Sequence, residues 1–572
     1  PVHYEGTTKD KGVEELKKYS DIESRMYALP GDTGNFKDST VFLLCEYTHA
    51  MGNSNGNLDA YWYDDIYPNI HHAGAYVWDW RDQGLTTPVP NAFVSNIGKG
   101  PVKKDFFAYG GWYEKEQGFH NDGNFCMNGL ISSDGVPHPG LKAIKHVYRN
   151  LHLEAIDAEM GKFKLKSWFD FTNAKDIVSA TWQIIENGKP IYSQTLDSLE
   201  IEPRSEIAFN LDFSQFDIKQ GREYFVDIIF TSNKNYHPLV AAGHTLAHEQ
   251  FKLNNVKIPA LTPDNSTLNI VQANGQIKIK GNGVNVAFSK DSGEMVDYSY
   301  RGTQLIARGP MPEFWRATVD NENPLVDGWT KNFTTPDKYF KFLNARKNWQ
   351  PKVNVTTQHN GAVKVTVNGE LAGFNANLAL NYLIHDSGQI DVSANYQFKE
   401  KPSKDYGTYL KIGTELKIPA GFEYVTWYGR GPEETYQDRK FESIGVYKNT
   451  VDGLWVDYSK PQENGNRTDI RWFSIENNNG TGLTFYSLEQ PFEVSARHYG
   501  VETMQHSAYS FQMDRSDETF LNIDHLQYGI GGNNSWGELP LKQYLPQKLN
   551  YQYTYSIIPF VGGNNTLNTP YH

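Results

Sequence analysis

The sequence predicts a multidomain chain of three units: a mixed α/β part, an immunoglobulin-like β-sandwich and a large antiparallel β-sandwich. Three observations predict it. The 572 residues exceed what one hydrophobic core holds. Helical and strand-like apolar spacings alternate only up to about residue 151. Beyond it, period-two alternation broken by turn residues runs on toward the C-terminus.

Within residues 1–151, "VFLLC" (Val41 to Cys45) reads as a buried strand that ends on an acid, Glu46. In "NLDAYWYDDI" the apolar set Leu58, Tyr61, Trp62 and Ile66 falls on one helical face. "AGAYVWDW" (Ala73 to Trp80) reads as a second buried strand. "GLKAIKHVYRNL" repeats the helical spacing through Leu141, Ile144, Val147, Tyr148 and Leu151. Strand, helix, strand with acids at strand ends is the pattern of a parallel α/β unit, and two or three such units are too few to close a barrel. Residues 152–258 hold strands such as "VSATWQII" and "REYFVDIIF", with "ENGKP" as a hairpin turn, at the spacing of an immunoglobulin-like sandwich. Residues 259–572 are strands and turns throughout. Asp-Ser-Gly twice separates alternating segments there, and "VTVNGEL" offers Asn-Gly as a further turn.

Aromatic residues make up 14% of the chain, with 35 Tyr and 13 Trp, a composition that suits strands and flat surfaces for sugar rings. The net charge of −13 comes without a basic stripe, which argues against a nucleic-acid partner. No apolar run reaches the roughly 18 residues of a membrane helix. Cys45 and Cys126 form neither a disulfide framework nor a metal-ligand spacing. The chain opens at Pro1 in mid-element, so a piece of a longer protein is expected, and the compartment is left open between cytoplasm and periplasm.

Parallel α/β barrels carry catalytic groups at the C-terminal ends of their strands, the position Glu46 takes after "VFLLC" and Trp78 and Asp79 take after "AYV". Glycoside hydrolysis commonly uses two carboxyl groups, and Glu46 could serve as one of them. Position alone leaves open a loop anchor or a surface ion pair. Taken singly, His49, Tyr4, Trp78, Phe125 and Asn128 read as turn or packing residues, while Trp536 lies in a Gly/Asn loop.

The strings "LLCEYTHAMGNS", "GAYVWDWRDQGL", "NDGNFCMNGLISSDGVPHPGLKAIKH", "WYGRGPEETYQDR", "PQENGNRTD" and "LNIDHLQYGIGGNNSWG" occur in this order. Together they resemble the C-terminal half of the long β-galactosidases of glycoside hydrolase family 2. The resemblance implies the C-terminal portion of a (β/α)8 TIM barrel over 1–151, an immunoglobulin-like β-sandwich over 152–258 and the large β-sandwich over 259–572. It implies retaining hydrolysis of β-galactosides such as lactose, with Glu46 as nucleophile and Tyr4 hydrogen-bonding near it. His49 would bind a sugar hydroxyl, Trp78 would lie under the galactose ring, and Trp536 would be a platform for the leaving group. Phe125, through its carbonyl, and Asn128, through its side chain, would ligate a sodium ion.

The same resemblance implies a general acid/base Glu after an Asn, upstream of the nucleophile. Asn321-Glu322 lies far downstream, and Asp79, Asp82 and Asp122 match other positions of the family pattern. The upstream ligands of the family's magnesium site have no match either. The expectation is therefore an incomplete half-enzyme whose partner is its own N-terminal half, oligomeric in the full-length form. Two other readings are a non-catalytic carbohydrate-binding protein and a complementing subunit.

Overall fold

The computed structural model describes residues 1–5, 19–33, 41–114, 121–196, 200–256, 266–323, 342–371, 374–402 and 408–562. In the first part, β1 (Ile22–Met26), β2 (Val41–Tyr47) and β3 (His72–Val77) form a parallel sheet with β2 in the middle. The helix Ala60–Ile66 lies in the β2–β3 crossover, and it is widened to π geometry, with the Tyr67 N–H donating to the Trp62 carbonyl at 2.9 Å. Its apolar stripe is the expected one: Leu58, Tyr61 and Ile66 are buried against Phe42, Leu44 and Tyr47 of β2. Helix α1 (Pro139–Val147) opens on a proline, which loses no helical hydrogen bond there, and adds Ala143, Ile144 and Val147 to this core.

Two expectations need correction. Helix α1 ends at Val147, so Leu151 does not extend its stripe but opens the next strand. β3 is not a buried strand: Ala75 and Val77 pack on the core, while Tyr76, on the opposite face, is 65% exposed.

A hairpin of β4 (Leu85–Pro88) and β5 (Asp105–Ala108) then carries Phe106 to Tyr509, ring centroids 4.7 Å apart. Seven antiparallel strands follow: β6 (Leu151–Asp157), β7 (Lys162–Ser167), β8 (Val178–Glu186), β9 (Lys189–Thr195), β10 (Glu206–Asn210), β11 (Tyr224–Ser232) and β12 (Thr245–Lys252). They make one sheet of order β10-β7-β6 and another of order β12-β11-β8-β9, closed on a common core that includes Phe163, Trp182 and Val226. The β8–β9 turn falls where "ENGKP" predicts it, with Asn187 (φ +48°) and Gly188 (φ +77°) both left-handed, as a two-residue hairpin loop demands.

The last unit is antiparallel throughout. A nine-stranded sheet spanning Lys352 to Phe560 and a five-stranded sheet centred on Lys411–Ile418 and Thr519–Gln527 share one large core, and a five-stranded meander from Asn269 to Ile306 packs onto it. Both Asp-Ser-Gly turns join adjacent strands. The Asn-Gly of "VTVNGEL" does not turn. Asn368 and Gly369 sit inside Val363–Leu371, and a Cβ at Gly369 would come within 3.0 Å of Pro351 Cα, so the glycine serves close backbone approach instead.

Buried charge joins the sandwich to the last unit. Arg471 makes two 2.9 Å bonds to Glu223, which also accepts from the Tyr428 hydroxyl at 2.7 Å. Burial pushes the Glu223 carboxyl up, but the bonds and charge of Arg471 outweigh it and hold the group below the usual range.

Candidate active site

Glu46 lies at the C-terminal end of the middle strand, and a bulge aims it. Phe42 and Leu44 face the helices, so strict alternation would turn Glu46 the same way. Instead Leu44 pairs with Ala75 and Tyr47 with Val77, three steps on β2 against two on β3. Tyr47 takes the buried helix-side place, and Cys45 and Glu46 are the two residues spent between.

The end of β1 supplies the first partner. Met26 pairs with Glu46, and the next residue, Tyr27, turns into the left-handed region (φ +53°) while its N–H donates to the Glu46 carbonyl at 2.9 Å. The Tyr27 phenol hydrogen-bonds the Glu46 carboxylate. Burial, then the charge of Glu46, pushes this phenol far above its ordinary range, so it stays a donor. Sequence reasoning missed Tyr27. The signal was there: a Tyr placed directly after a short strand, as Glu46 comes at the end of "VFLLC". Tyr4, the expected phenol, lies on the segment that bridges onto β1 and is 53% exposed, its N–H donating to Ser20 Oγ at 3.2 Å.

His49 is 1% exposed on the loop beyond β2. Its Nδ1 meets Ser535 Oγ at 2.8 Å, and its Nε2 is buried without a hydrogen-bond partner. Burial lowers its pKa to about 4, so the ring is neutral near pH 7. Trp536 arrives from the last unit, 4.7 Å from the Tyr27 ring and 5.6 Å from His49 between centroids, and Phe125 lies 5.1 Å from His49. The structure thus brings Glu46, Tyr27, His49, Phe125 and Trp536 together from both ends of the chain. Trp78 lies just past β3 and is 40% exposed; its carbonyl accepts the Ala50 N–H at 2.7 Å, tying it to the His49 loop.

The loop of "HAMGNSNGN" is locked onto the last unit. Arg439 donates to Asn53 Oδ1 at 2.9 Å, the Asn53 N–H to Gln462 Oε1 at 3.0 Å, and the Gly56 N–H to the Gly531 carbonyl at 2.7 Å. Phe125 rides on the short turn Gly123–Cys126, where Asn124 donates to Asp320 Oδ1 at 2.7 Å. Asn128 is buried, its carbonyl accepts from the Asp79 N–H at 2.7 Å, and its Oδ1 is buried with no hydrogen-bond partner. A carbonyl and an orphaned amide oxygen are hard donors that fit an alkali cation better than a transition metal. Among the described residues no group of three or more His, Cys, Asp or Glu could hold a metal ion. Asp82, deeper in the same region, accepts the Gly129 N–H at 2.7 Å and is pushed up to about 7, by burial first and then by the charge of Asp320.

Three family models match the chain in order. Residues 1–153 match the TIM barrel domain of glycosyl hydrolases family 2, 163–254 match domain 4 of β-galactosidase, and 280–557 match the β-galactosidase small chain. A carboxylate at a strand end, with matches of this kind, defines a chain of the glycoside hydrolase class. More particularly, it resembles the C-terminal half of a long β-galactosidase of family 2. The β-galactosidase of Priestia megaterium is 30% identical over 98% of this chain and 51% of the relative. That of Streptococcus thermophilus is 27% identical over 98% and 53%, and that of Halalkalibacterium halodurans 29% identical over 94% and 50%. The chain spans about half the length of the curated relatives it matches.

Proposed function

We propose that this chain is the C-terminal part of a retaining β-galactosidase, carrying the nucleophile while the proton-donating carboxylate comes from an N-terminal polypeptide. Residues 1–151 are then the last part of a (β/α)8 barrel. The seven strands β6–β12 are its immunoglobulin-like neighbour, and 259–572 is the large sandwich that completes the site. The observation that carries the reading is Glu46 at the mouth of a parallel sheet, held by the Tyr27 phenol and walled by His49, Phe125 and Trp536.

In this reading the Glu46 carboxylate attacks the anomeric carbon as the glycosidic C–O bond breaks, and the leaving oxygen takes the proton of the N-terminal polypeptide's carboxyl group. Water, giving a proton back to that group, then displaces Glu46 from the covalent galactosyl intermediate. The Tyr27 hydroxyl donates to the carboxylate, steadies its charge before attack and holds its orientation. His49 offers Nε2 to a sugar hydroxyl, Trp78 an aromatic face to the ring, and Trp536 a platform to the leaving group. Phe125 and Asn128 would hold sodium, and the unpaired Asn128 Oδ1 supports that assignment. Bound there, sodium would supply a fixed positive charge to the site. Magnesium belongs to the whole enzyme, with its principal ligands on the N-terminal polypeptide.

The test is hydrolysis of a nitrophenyl β-galactoside by the purified chain, alone and mixed with the N-terminal polypeptide of a relative. Turnover is expected only in the mixture and is abolished by Glu46→Gln. Full turnover by the chain alone overturns the half-enzyme reading. Galactoside binding that is indifferent to Glu46, with no covalent trapping by a fluorinated galactoside, points instead to a non-catalytic sugar-binding protein.

A further inference from the structure

We infer that Ser535 is a positioning residue for His49: its hydroxyl holds the imidazole as the tautomer that presents Nε2–H, a hydrogen-bond donor, to a ligand oxygen. A neutral imidazole carries one N–H, and which nitrogen bears it depends on what the other one meets. Here Nδ1 meets Ser535 Oγ at 2.8 Å, with both residues buried. If Nδ1 were the donor, two buried groups would be left over, the serine's own proton and the Nε2 lone pair; with the serine donating, only the Nε2–H is. Among the described hydrogen bonds Ser535 Oγ has one partner, and it is Nδ1. The hydroxyl therefore donates to Nδ1, and the ring proton resides on Nε2.

That proton is unused. Nε2 is buried and has no hydrogen-bond partner. A buried donor left unpaired costs on the order of 1–3 kcal/mol, a cost that an incoming acceptor removes. The ligand chemistry that suits it is an acceptor oxygen such as a hydroxyl or ether, next to the neighbouring rings of Phe125, 5.1 Å from the imidazole, and Trp536, 5.6 Å from it.

The serine is itself held rigidly. Asn534 Oδ1 accepts from the Trp536 and Glu538 N–H groups, each at 3.1 Å, and Asn321 clamps the same loop through the Gly537 N–H at 3.0 Å and the Glu538 carbonyl at 2.7 Å. Ser535 and Trp536 are thus consecutive parts of one device, contributed by the last unit to a site on the first. Which nitrogen bears the proton does not depend on the galactoside reading; what Nε2 meets does.

The experiment is a long-range 1H–15N correlation spectrum of the ring nitrogens in the full chain without ligand, with the His49 signal assigned by its loss in His49→Gln. The wild type is expected to show Nε2–H alone, Ser535→Thr to keep it, and Ser535→Ala to give a mixture of tautomers. Nδ1–H in the wild type, or a Ser535→Ala spectrum identical to the wild type, overturns the inference. The wild-type and Ser535→Thr spectra decide it even where Ser535→Ala does not fold. In the mixture with the N-terminal polypeptide, Ser535→Ala is expected to raise KM for a galactoside about tenfold, the scale of one hydrogen bond, with Ser535→Thr restoring most of it. An unchanged KM beside an altered tautomer overturns the role in sugar binding alone.

Discussion

Glu46 and Tyr27 form a unit that neither residue makes by itself. The carboxylate needs a donor that never titrates near neutrality, and the buried phenol beside it is such a donor. Removing only the hydroxyl, in Tyr27→Phe, leaves the ring packed on Trp536, so the loss is expected in kcat rather than in folding. A fall of about a hundredfold in kcat is the expected scale for losing one preorganised hydrogen-bond donor, measured in the complemented mixture. A histidine away from the site gives a stability prediction. His525 stacks on Tyr553, and burial, then Lys548, lowers its pKa to about 4. Unfolded, it titrates near 6.5, so between about 6.5 and 4 the unfolded chain binds more protons, and stability falls as pH falls through that window. His525→Gln removes this contribution, so the gap in melting temperature between variant and wild type shifts in favour of the variant from pH 7 to pH 4.5. At this scale the sequence pointed to Glu46, His49 and Trp536, because each sits in a distinctive string. Tyr27 and Ser535 stayed hidden because their roles exist only through pairing: one through the β1–β2 register, the other across 486 residues of chain.

Among the elements, the loop after β2 does the most with the least. Its glycines are where the first unit meets the last without room for a side chain. A Cβ at Gly56 would overlap Asp438 Oδ2 and come within 2.6 Å of the Gly531 carbonyl, and Gly56 itself donates to that carbonyl. Gly56→Ala is therefore expected to separate the two surfaces and cost about 1–3 kcal/mol, the range for overpacking a tight contact. The readouts are a lower urea midpoint and faster proteolysis within residues 51–57; an unchanged midpoint would mean that the loop is not a rigid dock. Local chemistry made the hairpins legible, since Asn187-Gly188 and both Asp-Ser-Gly turns fall where their residues allow positive φ or tight reversal. It misled at Asn368-Gly369, where the glycine answers to a neighbouring chain rather than to its own turn. The bulge in β2 was not legible either, because "VFLLCEY" carries no sign of the extra step that sends Glu46 away from the helices.

For the whole molecule the question is what the first unit does with its open sheet. Its three described strands bury one face against their own helices, while Ile70, Tyr76, Trp78 and Trp80 stand exposed before, along and beyond β3. Large apolar groups beside a sheet edge are an invitation to association. The last unit and the sandwich each have a core of their own. The chain alone is thus expected to self-associate with concentration, by light scattering, and to bind a fluorescent apolar dye. Titration with the N-terminal polypeptide of a relative is expected to abolish both, at the same stoichiometry at which galactoside hydrolysis appears. That coincidence is the decisive part: a surface that only aggregates would lose its dye binding without gaining turnover, whereas strands that complete a barrel must do both at once. Replacing Ile70, 93% exposed before the start of β3 and so at the other end of the strand from Glu46, with serine or with lysine should lower the self-association of the chain alone and weaken complementation together. If the substitutions suppress association and leave complementation at full strength, the N-terminal polypeptide docks elsewhere.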